Sequence, residues 1–394
     1  MNNLDILFKK EIQLGKMAIS DYIKAALYRT NETIFERLDF ENDSAFLEPL
    51  LIAYLSSGGP SYTTLEQILC AYFTEKQGCF EVISDADGTV YVPQVGYFYT
   101  EYSNQKLLLE CDGETYQLKN ISYGFLPCLT VLDGKIEIYR HKNPLLNSFY
   151  QANGNRQILD IEVTQTTHRH IQSVDRALEI LKIHLPNLCK EITSTNRTLS
   201  VFFNPQVNCF ANIGATGCAF LSTIPTNGTI FFLEELIHQC SHNTFNIMLF
   251  NRSNYFKIDV EQTQLGNVIG LQSEERSIFS AFHGLYTVAK RYEAFFELYK
   301  ADIFLGIQKH EFLGRFTDLK KRFRTGLELL YLDDVYTNRG KEIYQLLDTL
   351  CADYIKKIEH LEGVFDLSNQ PSEFSYFHFS QINPFEKFMA KSGI

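Results

Sequence analysis

Two histidines four residues apart, His238 and His242, stand in the stretch EELIHQCSH. A helix turns about 100° per residue, so positions four apart share a face and two imidazoles there can aim at one point. That is first-row metal geometry, with each nitrogen about 2 Å from the ion. The neighbours Phe231, Phe232, Leu236, Ile237, Met248 and Leu249 would bury such a helix and exclude water. Without a metal, each histidine on so apolar a helix would need its own buried hydrogen-bond partner. A pair of satisfied core or surface histidines is the plain alternative.

The residue after the first histidine is Gln239. In the zinc-peptidase form of this motif, HExxH, a glutamate stands there as general base. A carboxamide cannot take a proton from metal-bound water near neutral pH, and that help is worth about 10² to 10⁴-fold. Two readings follow: a degenerate, non-catalytic metallopeptidase fold, or a metalloenzyme that never needed the base. Non-haem iron oxygenases fit the second, because dioxygen and a co-substrate take open positions on an ion held by two histidines and a third ligand.

Three residues are candidates for that ligand. His283, in SAFHGLY, lies on the next long helical stretch; Glu235 and Glu234 precede His238 by three and four residues. The glutamates read equally as residues that orient an imidazole, and His283 as a core histidine. Arg276 precedes His283 by seven residues. Two helical turns would put the two within about 20° of one face and about 10 Å apart. There Arg276 could hold a distal carboxylate by a bidentate pair, or simply pair with Glu274 or Glu275.

Other constellations read as structural. His168 and His170 in TTHRH alternate as on a strand and suit an exposed strand face. Cys240 is two residues from either histidine, off their face, and reads as packing. No GxSxG, P-loop or GxGxxG occurs, and Gly214 to Gly217 reads as a turn.

The elements that must position these residues fall into three regions. Residues from 1 to 78 look helical, broken at SSGGPS, with Thr63 or Thr64 capping a second helix. Residues from 79 to 165 look like a hairpin-rich β unit. Asp-Gly pairs at 87–88, 112–113 and 133–134 are each flanked by strand-like runs, and Asp-Gly suits the positive φ of tight hairpin turns. Residues 166–394 form the expected metal-binding catalytic region, with strands LSVFFNP and CAFLST before the metal helix and further helices after it. The expected fold class is α+β. Its order of helix, strand, strand and metal helix resembles the zincin core.

The formal charge of −11 makes nucleic acid a poor partner, since phosphate contacts need clustered basic residues. The basic run Lys320 to Arg324 reads as a solvated helix face. Nine cysteines without a repeating spacing suit free thiols in a reducing cytoplasm. No apolar run reaches the roughly 18 residues of a membrane span, and the N-terminus lacks the apolar core of a signal peptide.

Taken together, GCAFLSTIPT, FFLEELIHQCSH, ERSIFSAFHGLYTVAKR and YTNRGKEIYQLLDTL resemble the HExxH-motif peptide-modification proteins found beside ribosomally made peptide precursors. The matching positions are the Leu-Ser strand end, Arg276, His283, Gly284, Tyr286, Thr337 and Gly340, and the resemblance covers roughly residues 200 to 355. It implies an Fe(II)- and α-ketoglutarate-dependent hydroxylase acting on a peptide side chain, typically at the β-carbon. Carried over by position, His238, His242 and His283 would be the metal ligands and catalytic centre, with Arg276 as co-substrate anchor. Glu235 stays as the alternative third ligand. Gln239 departs from the family glutamate but could still orient a ligand by hydrogen bonds.

The N-terminal half lies outside the resemblance. Residues 79–165 are expected to help hold a precursor peptide by strand addition at an exposed edge, against a scaffold or homodimer contact. The contrasting functions are a zinc-type metallopeptidase homologue, inactive or weakly hydrolytic, and a binding protein with no metal.

Overall fold

Helix α1 (Lys9–Thr30) opens a computed structural model that describes residues 8–113, 115–152, 156–371 and 373–392. Its buried positions, Ile12, Gly15, Ile19, Ile23 and Leu27, recur at spacings of three and four, the stripe of a helix with one face on a core. That stripe packs on the helix carrying His238 and His242. Gly15 makes the close approach: a Cβ there would overlap the carbonyl oxygen of Ile247. After the break at SSGGPS, Thr64 caps the short helix Leu65–Leu69 by accepting from the Gln67 amide at 3.0 Å.

Among the described residues the β region contains eight strands: β1 (Gln77–Ile83), β2 (Thr89–Val92), β3 (Gly96–Tyr99), β4 (Lys106–Asp112), β5 (Thr115–Leu118), β6 (Gly124–Pro127), β7 (Leu129–Val131) and β8 (Ile136–Ile138). Two Asp-Gly pairs join hairpins, between β4 and β5 and between β7 and β8. The first does not. β1 pairs with β4, and β2 pairs with β3, so Asp87-Gly88 carries the chain from one sheet to another. Asp85 closes that turn, its side chain accepting from the Asp87 and Thr89 amides, both at 2.9 Å. A local turn signal does not specify which strands it joins.

The third sheet spans the two halves of the chain. Strands β9 (Thr198–Phe202), β10 (Phe210–Ala211) and β11 (Cys218–Ser222) join β7 and β8 in the order β10-β11-β9-β8-β7. β8, β9 and β11 run parallel. Parallel neighbours need a crossover, supplied between β8 and β9 by helices α2 (Thr164–His184) and α3 (Pro186–Thr195). The sheet thus takes strands from both sides of residue 165. The chain is a mixed α+β protein whose buried apolar residues form one connected core, from Phe8 to Ile358.

The TTHRH segment corrects a strand expectation. It lies in the first turns of α2, where residues two apart face nearly opposite ways. His168 is exposed, while His170 is buried against the ring of Phe232 at 5.3 Å. Tertiary bonds override the strand preference of the threonines. Glu162 accepts from the Gln165 and Thr166 amides, and the Thr167 hydroxyl donates to the carbonyls of Tyr139 and Val201.

Four helices complete the site: α4 (Thr229–Met248), α5 (Ile278–Ala301), α6 (Gly306–Leu329) and α7 (Asn338–Lys357). α4 is apolar on nearly every side, so it runs through the core, packed by α1, α2, α3, α5 and β11. Thr337 caps α7 by accepting from the Gly340 amide at 3.2 Å, and a Cβ on Gly340 would overlap the carbonyl oxygen of Tyr255. Among the described residues no helix is long and apolar enough to cross a membrane.

Candidate metal centre

A buried polar seam sets the rotation of α4. Asn243 donates to the Asn196 side chain at 2.7 Å and to the Cys218 carbonyl at 3.0 Å; Thr195 and Thr244 share a hydroxyl bond of 2.8 Å. Directional bonds of this kind specify an orientation that apolar packing alone leaves loose. On the other side Glu234 accepts from Arg291 of α5 at 2.9 Å and from Arg315 of α6 at 2.8 Å. With both faces pinned, every residue from Phe232 to Met248 is buried except His238 and His242, which are half-buried. Cys240 is fully buried in the core.

The two histidines open on a cavity of about 670 Å³ between α4, α5, α6 and the C-terminal tail. Leu367, Ser368, Gln370 and Pro371 supply the tail's wall. Among the described residues the charged lining is Arg276, Arg291, Lys321 and Arg322 against one carboxylate, Asp318. None of the described residues from 79 to 165 lines it.

His238 Nε2 and His242 Nε2 face each other across 3.0 Å. Two donors about 2.1 Å from one ion and at right angles would stand about 3 Å apart, so this pair fits two neighbouring positions on one metal. The outer nitrogens are both engaged. His238 Nδ1 lies 3.2 Å from Gln239 Nε2 and 3.5 Å from Glu235 Oε2, and His242 Nδ1 lies 2.7 Å from His283 Nε2. Two bare Nε2 lone pairs repel at this distance, so the gap must hold either a proton or a cation.

His283 therefore does not stand where a third ligand was expected. Its Nε2 meets the far nitrogen of His242 and the His242 carbonyl at 3.2 Å, rather than the point the other two share. The cause is packing: the rings of Phe245 and Phe279 stack on its imidazole at 5.1 and 5.7 Å. Glu235 likewise sits behind His238, not in front of it. Among the described residues no group of three His, Cys, Asp or Glu side chains is placed to hold one ion. The fit to a metal is thus good for two nitrogens and incomplete for a third protein donor.

The electrostatics suit neutral imidazoles beside an ionised carboxylate. Burial pushes His283 down to about 4 and lowers His238 and His242, with Arg291 adding to the effect on both of the latter. Burial would raise Glu235, but bonds from His238 and Gln239 and the Arg291 charge outweigh it and hold the carboxyl at about 2. Neutral rings are the metal-binding form, and a carboxylate behind one fixes its tautomer.

Gln239 faces away from the cavity. It is buried, donates from Nε2 to Glu235 at 3.0 Å, and its Oε1 has no partner among the described residues. Arg276 lines the cavity but from a different position than expected. Helix α5 begins only at Ile278, after the cap Ser277, so no two-turn helical relation to His283 exists. Arg276 is paired with Glu274, from Nε at 2.8 Å, because that loop turns its acidic side chain back.

Several cavity residues escaped the reading of the chain. Arg291 is a nearly buried cation, but Lys290 and Glu293 beside it in the chain leave nothing that marks it out. The wall from the tail carries no signal either, since its residues follow no period.

The chain matches no protein-family model and no curated protein.

Proposed function

We propose that this chain is an Fe(II)- and α-ketoglutarate-dependent hydroxylase that acts on a side chain of a ribosomally made precursor peptide. The observation that carries the reading is the exposure of only His238 and His242 along the buried length of α4, with their Nε2 atoms 3.0 Å apart at a cationic cavity. The family resemblance supplies the reaction class and the β-carbon as the position modified, and the order of β9, β11 and α4 accords with a zincin-like core.

His238 and His242 would hold the ion. When bound, iron with α-ketoglutarate and dioxygen supplies the oxidising power for hydroxylating a C–H bond. Glu235 stands behind His238, 3.5 Å from its outer nitrogen, and with a proton on that nitrogen Nε2 would face the ion as a lone pair. His283 Nε2, set between the Nδ1 and the carbonyl of His242, holds the orientation of that ring. The cationic lining suits a dianionic co-substrate, and Arg276 would anchor its distal carboxylate by exchanging its bond to Glu274. Gln239 is no base for a hydrolytic step, since it does not reach the cavity, which weighs against a zinc peptidase.

The test is release of succinate from α-ketoglutarate by anaerobically reconstituted protein, on admission of oxygen, dependent on Fe(II) and on the short peptide encoded beside it. Iron uptake with succinate formation and a mass gain of one oxygen on the peptide supports the reading. Protein that takes up no iron, or that cleaves the peptide instead, sinks it.

A further inference from the structure

The histidine cavity does not end at the tail. It shares Lys321, Thr325 and Leu367 with a second space of about 300 Å³, which shares Lys320, Arg324 and Glu362 with a third of about 760 Å³. The three adjoin as a groove that passes round α6, with the segment Leu361 to Leu367 as the wall of the middle space and α7 as the wall of the outer one. The outer two spaces alone match a small-molecule site in size, so a co-substrate beside the histidines would leave them unfilled.

We propose that this groove is the track for the substrate: an extended polypeptide with acidic side chains next to the reacting residue and an apolar side chain at its far end. The proposal rests on the peptide-modifying reading above. Charge favours this occupant. Among the described residues of the middle space, Lys320, Lys321 and Arg324 face one carboxylate, Glu362. Glu362 pairs with Lys320 at 3.1 Å but is itself 64% exposed, so an incoming carboxylate can replace it at little cost. The outer space instead mixes charges of both signs with Leu327, Tyr331, Tyr344 and Ile355. Tyr331 is 70% exposed, a large apolar ring held at the groove's end. From Lys321 to Tyr331 the helix rises about 15 Å. An extended chain covers that in about five residues.

The probe is a short fluorescein-labelled peptide with Asp and Glu at one end and Leu five residues away, separated by Gly and Ser. Its binding to the full, metal-free chain is read by fluorescence anisotropy. We expect binding that weakens with salt and falls about tenfold in the double variant Lys321→Glu, Arg324→Glu. Both positions are exposed, and unchanged circular dichroism would show that the variant folds. Thr325→Trp, which fills the shared wall, should also weaken binding, while Lys9→Glu, Lys190→Glu on a separate face should not. No binding at millimolar peptide, equal binding of a Lys-for-Asp/Glu peptide, or affinity indifferent to the groove variants overturns the proposal. No iron or oxygen enters this test. Groove binding without turnover would therefore sink the hydroxylase reading alone, and turnover with groove-independent affinity would sink the track alone.

Discussion

His283 approaches His242 at Nδ1, 2.7 Å away, and not at the Nε2 that faces His238. The relation separates two roles that the spacing of residues cannot. His242→Ala and His238→Ala should each abolish stoichiometric iron or zinc uptake. His283→Ala should lower affinity by about 10 to 100-fold, the range for groups that orient a ligand. Metal content after anaerobic loading and dialysis measures this; equal, complete loss in all three variants would make His283 a ligand.

Gln239→Glu should not create a peptidase. Gln239 points away from the cavity, and the new carboxylate would be buried beside Glu235, which is already ionised. We expect a loss of about 1–3 kcal/mol in stability, read by denaturant unfolding, and no cleavage of casein. Proteolysis by this variant would return the chain to the degenerate hydrolases.

The two arginines of α5 and its approach should behave differently. Arg291→Ala leaves Glu234 with one of its two partners in a buried setting and should cost about 3 kcal/mol or more. Arg276, half-exposed, should cost under about 1 kcal/mol when replaced by Ala, yet weaken α-ketoglutarate binding by at least about tenfold. Calorimetry and thermal melts check both halves.

Gly15→Ala should destabilise, although alanine is the better helix former by about 1 kcal/mol. The added methyl meets the Ile247 carbonyl and must push α1 away from α4. A loss of about 1–3 kcal/mol is expected. A gain in melting temperature would mean the close approach is not maintained in solution.

Glu137 gives a pH signature. Burial lifts its carboxyl from 4.5 to about 7, against a bond from the Tyr91 hydroxyl at 2.8 Å. Between those values the folded chain keeps a proton that the unfolded chain has lost. The contribution is fully present below about pH 4.5 and disappears as pH rises through about 7. Glu137→Gln should remove this slope and be the more stable form at pH 8, by at most about 3 kcal/mol. Urea unfolding at pH 5 and pH 8 tests it.

Much of the site was legible along the chain because it depends on local repeats. The four-residue spacing of His238 and His242, the apolar run that buries α4, the Thr64 cap, and two of three Asp-Gly hairpins are set by contacts within a few residues. Which strands a turn joins is not local, so Asp87-Gly88 joined no hairpin. Nor is helix against strand for TTHRH, where Glu162 and two sheet carbonyls decide. The start of α5 at Ile278 depends on the Ser277 cap, one residue that displaced Arg276 from an assumed helix face. Which nitrogen of His242 meets His283 is decided by the phenylalanines stacked on the latter's ring. The groove exists only because α6, α7 and a tail without period are folded against one another. By itself the sequence determined that two imidazoles share one face of a buried helix, since the helical repeat imposes that. Only the tertiary structure decided what stands behind each imidazole and what space opens in front of them, because those depend on side chains brought together from distant parts of the chain.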